Sequence, residues 1–405
     1  MAVGSVELPL MPAVAGIRWG GAAAGIKRPG RKDVAVMEIA AGSSVAAVYT
    51  LNAFCAAPVV VAKRHGAATA PRYLLINSGN ANAGTGEPGM RAAEASCAAV
   101  AAVMGCKAEE VLPFSTGVIG ELLPVAKIEA VLPQAKESLT ADGWADAARS
   151  IMTTDTVPKG ATRQIVVHGK TITINGISKG SGMICPNMAT MLGYVATDAG
   201  VDQALLQQLM TQAANRSFNC ITVDGDTSTN DACVLVATNK AGVSFNSASD
   251  VGYTEFAAAV IEVCQVLAQA IIRDGEGATK YITVDVRGGI NEAECRLVAY
   301  TIAHSPLVKT AFFASDPNWG RILAAVGRAG VEGLDVSKID IYLGDVSIVR
   351  GGGRDPGYTE EAGQKVMKES EITICVELAR GHAEAQIWTT DFSYDYVKIN
   401  AEYRS

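Results

Sequence analysis

Histidine is scarce in this chain of 405 residues: only His65, His168, His304 and His382 are present, and no two share the spacing of a metal pair. That argues against a zinc site. No Gly-x-Ser-x-Gly elbow occurs either, which disfavours a Ser-His-Asp hydrolase. Charge is sparse as well, at 19% of residues, and the 34 Lys and Arg are scattered against 41 Asp and Glu for a net charge of -7. The lack of a basic patch argues against a nucleic-acid backbone binder. The longest apolar runs, such as Ala56 to Ala62, fall far short of the roughly 18 residues needed to cross a bilayer. Met1 to Pro12 lacks a basic segment followed by a long apolar one, so no signal peptide is expected. Nine cysteines, an odd number with no C-x-x-C pair, read as reduced core thiols of a cytoplasmic protein.

What is present is apolar mass: 49% of residues are hydrophobic and 41 are glycine. That is ample to bury a core, so a disordered chain is excluded. Strand-like and helical segments alternate from end to end. Asp33 to Ala40 and Ser44 to Leu51 read as two strands around the Gly42-Ser43 turn, and Tyr73 to Asn77 as a short buried strand. Met90 to Met104 reads as an alanine-rich helix stopped by Gly105. Gln164 to His168 and Thr171 to Asn175 read as a hairpin across Gly169-Lys170. In the second half, Asp202 to Asn215 is helical and Ala232 to Thr238 is a strand. The helix over Tyr253 to Arg273 is the clearest, with Phe256, Val260, Val263, Leu267 and Ile271 at helical spacing and Gly275 after its end. Strands follow at Tyr281 to Val286, Ile339 to Leu343 and Ile372 to Leu378. The pattern implies a mixed α/β protein, with two lobes sharing one central region.

Three motifs invite a chemical reading. Gly84, Gly86 and Gly89 spell G-x-G-x-x-G between a strand and a helix, but Glu87 and Pro88 stand where a pyrophosphate would approach, so a tight Asn/Gly loop is preferred. Asp224 to Asp231 is dense in oxygen ligands yet lacks the spacing and distal Glu of an EF-hand loop. A structured turn before the strand at Ala232 is preferred to a metal site. The third is Lys179-Gly180-Ser181-Gly182-Met183-Ile184-Cys185-Pro186-Asn187-Met188-Ala189-Thr190-Met191-Leu192. In one reading Thr190 merely caps a strand edge. In the other its hydroxyl is a nucleophile, which needs an adjacent base, and its own α-amino group would serve once the Ala189–Thr190 bond is cut.

Separated motifs decide between these readings. They are Asn77-Ser78-Gly79-Asn80-Ala81-Asn82-Ala83, Ser115-Thr116-Gly117-Val118-Ile119-Gly120, Thr153-Thr154-Asp155-Thr156 followed by Pro158-Lys159, the Lys179 to Leu192 block, Thr222 to Asp231, Asp316 to Ile322 and Tyr396 to Tyr403. In that order, over nearly the whole chain, they resemble the ornithine acetyltransferase (glutamate N-acetyltransferase) family of arginine biosynthesis. The resemblance implies an αββα-type sandwich of the ornithine acetyltransferase and DmpA-like kind, with mixed sheets flanked by helices. It implies a precursor that cuts itself into an α chain, residues 1–189, and a β chain, residues 190–405.

The implied activity is transfer of the acetyl group from N-acetylornithine to glutamate through an acetyl-Thr190 intermediate. Thr116, by its hydroxyl, and Gly117, by its N–H, would form the oxyanion hole. Thr153, Lys179, Thr190, Glu276, Asn400 and Ser405 would bind substrate, with Lys179 suited to a carboxylate and Glu276 to an ammonium. No cofactor or metal is implied, and acetyl-CoA as a second acetyl donor stays open. The implied partners are the small-molecule substrates and a heterotetramer of two α and two β chains, with no nucleic acid and no membrane. An aminopeptidase of related fold, with water as acceptor, is the alternative enzyme reading. An uncleaved, non-enzymatic scaffold is the third.

Overall fold

A computed structural model describes residues 2–27, 29–185 and 191–402. The chain divides by packing into two compact units: residues 7–219 with 227–271, and residues 1–6 with 220–226 and 272–405. Ala189, Thr190 and Ser405 lie outside the described residues.

The larger unit opens with β1 (Ile17–Ala22), β2 (Val34–Ile39), β3 (Ser44–Tyr49), α1 (Ala57–Ala68), β4 (Tyr73–Asn80), α2 (Gly86–Met104), β5 (Val111–Val118), α3 (Val125–Glu137) and α4 (Trp144–Ser150). It continues through β6 (Lys159–Val167), β7 (Lys170–Lys179), β8 (Leu192–Thr197), β9 (Gly200–Val201) and α5 (Gln203–Asn215). After β10 (Ile221–Thr222), which belongs to the smaller unit, come β11 (Ala232–Ala237), β12 (Ser244–Phe245) and α6 (Tyr253–Arg273). Two large sheets result, in the orders β1-β2-β4-β5 and β3-β11-β8-β7-β6, beside a short parallel pairing of β9 with β12.

The two sheets pack face to face. Met37, Ile76 and Phe114 of the first share one core with Ile177, Tyr194 and Val234 of the second. Four aromatic residues meet here: Trp19 meets Trp144 edge-on at 5.7 Å and Tyr194 at 5.9 Å, and Phe114 meets Tyr194 at 5.4 Å. Such T-shaped pairs align ring edges with ring faces and add to the area that they bury. On the outer face of the first sheet, α1, α2 and α3 cover Val36, Leu75 and Val111. On the second sheet, Leu267 and Val263 of α6 lie so close to Gly176 that a Cβ there would meet them at 2.8 and 3.0 Å. Gln203 and Gln207 of α5 each pair, through their amides, with the N–H and C=O of Val45 and Ala47. The edge strand β3 is thereby occupied and closed to further pairing. The layers are helix, sheet, sheet, helix: the αββα sandwich.

The two strands expected around Gly42-Ser43 are present, and one other strand runs longer than expected. The strands flanking Gly42-Ser43 are β2 and β3, but they do not pair with each other. β2 pairs with β1 and β4 whereas β3 pairs with β11, so this turn carries the chain from one sheet to the other. The strand after Arg72 also runs past Asn77 to Asn80, because Asn and Gly of the motif continue the ladder with β5. The hairpin at Gly169-Lys170 is present, with His168 and Gly169 both at positive φ (51° and 74°), the geometry of a two-residue turn matched to strand twist. Among the described residues α6 alone is long and apolar enough to cross a membrane. About two-thirds (67%) of its apolar window is buried, as in a core helix. None of the nine cysteines is joined in a disulfide.

The smaller unit is a seven-stranded mixed sheet. After β10 it adds β13 (Tyr281–Gly289), α7 (Glu292–Ala303), α8 (Pro306–Phe313), α9 (Trp319–Gly327), β14 (Asp340–Leu343), β15 (Val346–Arg350) and β16 (Gly353–Arg354). It closes with α10 (Glu360–Met367), β17 (Glu371–Glu377), β18 (Ala383–Thr390) and α11 (Tyr394–Ala401), in sheet order β10-β18-β13-β17-β14-β15-β16.

Candidate active site

The ends of β4 and β5 depart from regular pairing. Ser78 stands opposite Thr116 and Gly79 opposite Gly117, and the register then shifts at Asn80. Gly117 has φ 136°, and a Cβ on it would lie 2.3 Å from the carbonyl carbon of Gly79 and 2.5 Å from the nitrogen of Asn80. Only glycine fits this irregularity. It lifts Thr116 and Gly117 to part-exposed positions while Phe114 and Ser115 stay buried.

Asparagines replace the ladder bonds that the irregularity removes. Asn77 donates to the Asn80 carbonyl at 2.8 Å and accepts from the Ser115 hydroxyl at 2.6 Å. Asn230 donates to the carbonyls of Ala81 and Ser115 at 2.6 and 3.0 Å. The Asn-rich motif and one residue of the oxygen-rich segment therefore brace the Thr116 loop. The G-x-G-x-x-G segment has its own internal use. Asn82 donates to the Gly89 carbonyl at 3.0 Å, and Thr85 Oγ1 would lie 2.1 Å from a Cβ at Gly89, so side chains occupy the space a phosphate would need.

Lys179 ends β7, is 9% exposed, and its Nζ donates to Thr116 Oγ1 at 3.2 Å. Because that oxygen accepts from an ammonium, the Thr116 O–H is directed to donate elsewhere. The hub beneath is Asp155. Its Oδ1 accepts from Lys159 Nζ and from the Gly180 N–H, both at 2.7 Å, and its Oδ2 accepts from the Thr153 N–H at 2.9 Å. Both side chains of the Asp155–Lys159 pair are fully buried. Burial alone would raise the Asp155 carboxyl, but the Lys159 and Lys179 ammoniums and these hydrogen bonds outweigh it and hold it well below the usual carboxylate range. One ionised carboxylate thus locks Thr153, the residue after Lys179, and Lys159 together. Downstream, the Thr227 hydroxyl donates to the Cys185 carbonyl at 2.9 Å and secures the approach to residue 186.

In the smaller unit, Glu276 is 7% exposed and accepts from Asn400 Nδ2 at 2.9 Å, which also donates to the Tyr396 carbonyl. Gly277, at φ 67°, lies so close to α11 that a Cβ would be 2.3 Å from the Tyr396 nitrogen, and the Ser393 hydroxyl donates to its carbonyl at 2.6 Å. The turn carrying Glu276 and the helix carrying Asn400 are therefore bound to each other.

Of the residues expected from the sequence, Thr116, Gly117, Lys179 and Thr153 gather in the larger unit and Glu276 meets Asn400 in the smaller. Ala189, Thr190 and Ser405 lie outside the described residues. Sequence reasoning assigned no role to Asp155 and Lys159. Their opposite charges four residues apart were visible, but only burial distinguishes such a pair from a solvated one.

Comparisons with known proteins agree with this arrangement. The ArgJ family matches residues 18–405. The arginine biosynthesis bifunctional protein ArgJ of Pseudomonas fluorescens is 61% identical over 406 residues, covering 100% of both chains. That of Methylococcus capsulatus is 59% identical over 399 residues, covering 98% of this chain and 97% of its own. The crystal structure of the protein of that name from Bacillus halodurans is 40% identical, with a TM-score of 0.50, covering 51% of this chain and 97% of its own. The chain belongs to the ArgJ family.

Proposed function

We propose that this protein is an acetyltransferase of arginine biosynthesis that moves the acetyl group of N-acetylornithine to glutamate. The observation that carries the reading is the meeting of the Gly117 irregularity, the Thr116 hydroxyl and the Lys179 ammonium at the ends of β5 and β7. That is a set of donors suited to an oxyanion and a carboxylate.

Cleavage at Ala189–Thr190 frees the Thr190 α-amino group, whose reference pKa of about 7.7–8.0 suits a general base near neutral pH. The Thr190 hydroxyl attacks the acetyl carbonyl, and Thr116 and Gly117 stabilise the negative charge that develops on the acetyl oxygen. Ornithine leaves, and the glutamate amine collects the acetyl group from Thr190. Lys179 holds a substrate carboxylate, Glu276 an ammonium, and Thr153, Asn400 and Ser405 give neutral hydrogen bonds. The full-length relatives are named bifunctional, which supports acetyl-CoA as a second donor. Two α and two β chains form a cytoplasmic heterotetramer in this reading.

The test is intact-mass spectrometry under denaturing conditions, followed by an acetyl-transfer assay. The 42.0 kDa chain is expected to give fragments of about 20 and about 22 kDa, the larger beginning at Thr190, and to acetylate glutamate from N-acetylornithine. A Thr190→Ala chain is expected to stay whole and inactive. An uncut wild-type chain, or one that releases amino acids from peptides without acetyl transfer, refutes the reading.

A further inference from the structure

Asp391 stands one residue beyond β18, in the segment that joins this strand to α11, and it is 1% exposed. Its Oδ1 accepts from the N–H groups of Thr279 and Lys280, at 2.8 and 2.9 Å. Its Oδ2 accepts from the Thr279 hydroxyl at 2.5 Å. Those donors lie just after Glu276, on the stretch that leads into β13. Ser393, close behind Asp391, donates its hydroxyl to the Gly277 carbonyl at 2.6 Å and accepts from the Tyr396 N–H, capping α11. Residues 391–393 thus fasten the Glu276 turn at two places and start the helix that carries Asn400.

The same segment is gripped by Lys309 of α8, which is 1% exposed. Its Nζ donates to Thr389 Oγ1 at 2.8 Å and to the Thr390 carbonyl, and lies 4.6 Å from the centre of the Phe392 ring. Its carbonyl accepts from the Phe392 N–H at 3.3 Å. The Asp391 and Asp224 carboxylates lie near this ammonium, and burial lowers its pKa to about 7 against their attraction. Contacts from α8 and from the Glu276 turn therefore both end on residues 389–393. Glu276 itself has one hydrogen bond among the described residues, from Asn400 to Oε2, so its place is set by the backbone that carries it.

We infer that Asp391 is a positioning residue for Glu276, setting it to receive the side-chain ammonium of the acetyl donor. The inference rests on the reading of Glu276 as the ammonium partner in acetyl transfer. Buried and with both oxygens engaged, Asp391 acts through Thr279 and Lys280 rather than on substrate. A charge-assisted bond depends steeply on where its partners stand. N-acetylornithine carries a side-chain ammonium and glutamate does not. A misplaced Glu276 therefore weakens the half-reaction in which the donor acetylates the enzyme. It spares the half-reaction in which glutamate collects the acetyl group.

The test measures kcat/KM separately for N-acetylornithine and for glutamate. Asp391→Ala removes all three bonds, and its kcat/KM for N-acetylornithine is expected to fall about 10-fold or more, as for a weakened bond to a charged group. The value for glutamate should stay within about twofold of wild type. Asp391→Asn is the rescue. Its oxygen keeps the two N–H groups and its NH₂ donates to the Thr279 hydroxyl, so the donor value should return close to wild type. Its melting temperature should still fall with that of Asp391→Ala, because both variants deprive Lys309 of this counter-charge. Loss of both half-reactions together, or donor kcat/KM that tracks melting temperature through the three chains, marks a merely structural residue and overturns the inference. Glu276→Gln separates the two ideas. If it leaves donor kcat/KM unchanged, the ammonium reading falls and the inference with it. If it lowers that value and Asp391→Ala lowers it by its full factor again in the same background, only the positioning role falls. Should Asp391→Ala fail to fold, Thr279→Val decides. It breaks the side-chain bond alone and should cost the donor about threefold, whereas wild-type kinetics overturn the inference.

Discussion

Replacing Asp155 by Asn removes one charge and almost no volume, so its effect isolates the electrostatics of the hub. Three donors converge on this carboxylate: Lys159 Nζ and the Gly180 N–H on one oxygen, and the Thr153 N–H on the other. An amide has a single acceptor oxygen, so its NH₂ must confront at least one of those donors. Lys159 meanwhile stays fully buried with its carboxylate gone. Breaking a buried pair by removing one partner costs about 3–5 kcal/mol, or about 10²–10⁴-fold in the unfolding equilibrium.

The measurement is urea unfolding in the Thr190→Ala background, which is expected to keep the chain in one piece. The sign of the pH dependence follows from the depressed carboxyl. Its stabilisation is fully present above the unfolded value of about 3.9 and is lost as pH falls from there toward the folded value. Wild type should therefore converge on Asp155→Asn below about pH 4, and the gap should be constant from pH 5 to 7. Adding Lys159→Met to Asp155→Asn should restore part of the loss, because the unpaired charge goes. A cost under about 1 kcal/mol that does not change with pH would mean that the pair behaves as a solvated one, and the hub would have no role in holding Thr153 and Lys179.

Two further substitutions probe the proposed oxyanion site. Thr116→Ala should lower kcat for acetyl transfer by about 10²–10³-fold with little change in melting temperature, as for loss of one oxyanion donor, and Thr116→Ser should restore most of it. Equal activity of all three would remove Thr116 from the site. Gly117→Ala adds a Cβ 2.3 Å from the Gly79 carbonyl carbon, an overlap with backbone that no rotamer relieves, so soluble yield and transfer should both collapse. A well-folded, active Gly117→Ala chain would show that the register shift at Asn80 is not needed.

How much of this was legible in the sequence depends on the range of the forces involved. The helix Tyr253–Arg273 was readable to the residue, because its apolar face repeats every three or four positions and Gly275 follows. The stop at Gly105 was equally plain, and the residue has the expected left-handed φ of 77°. The Gly42-Ser43 turn was not. Two strands around a short turn are locally the same whether they pair together or pass to different sheets, and only the partners β1, β4 and β11 distinguish the cases. The αββα layering and the choice of Thr116, Lys179 and Glu276 came from resemblance to a family. Nothing in the local pattern of Thr116 or Lys179 says that a register shift will bring their side chains within 3.2 Å. Asp155 and Asp391 were hidden for a related reason: both look like surface carboxylates until burial is known.

The larger unit bears on the proposal that a new chain end serves as a base. Free termini ordinarily fray, since little holds their first residues. The proposed cut at Ala189–Thr190 would place the new amino terminus two residues before Leu192, where β8 begins. That strand is buried along its whole length and is paired on both sides, with β7 across Ile174 to Lys179 and with β11 across Ala232 to Ala237. A terminus entering an edge strand would keep one row of bonds; this one keeps two. The cut would also leave β7 on one product and β8 on the other, so the α and β chains would share a sheet and a core rather than separate. The strand that would follow the proposed amine is therefore held by the sheet on both of its sides.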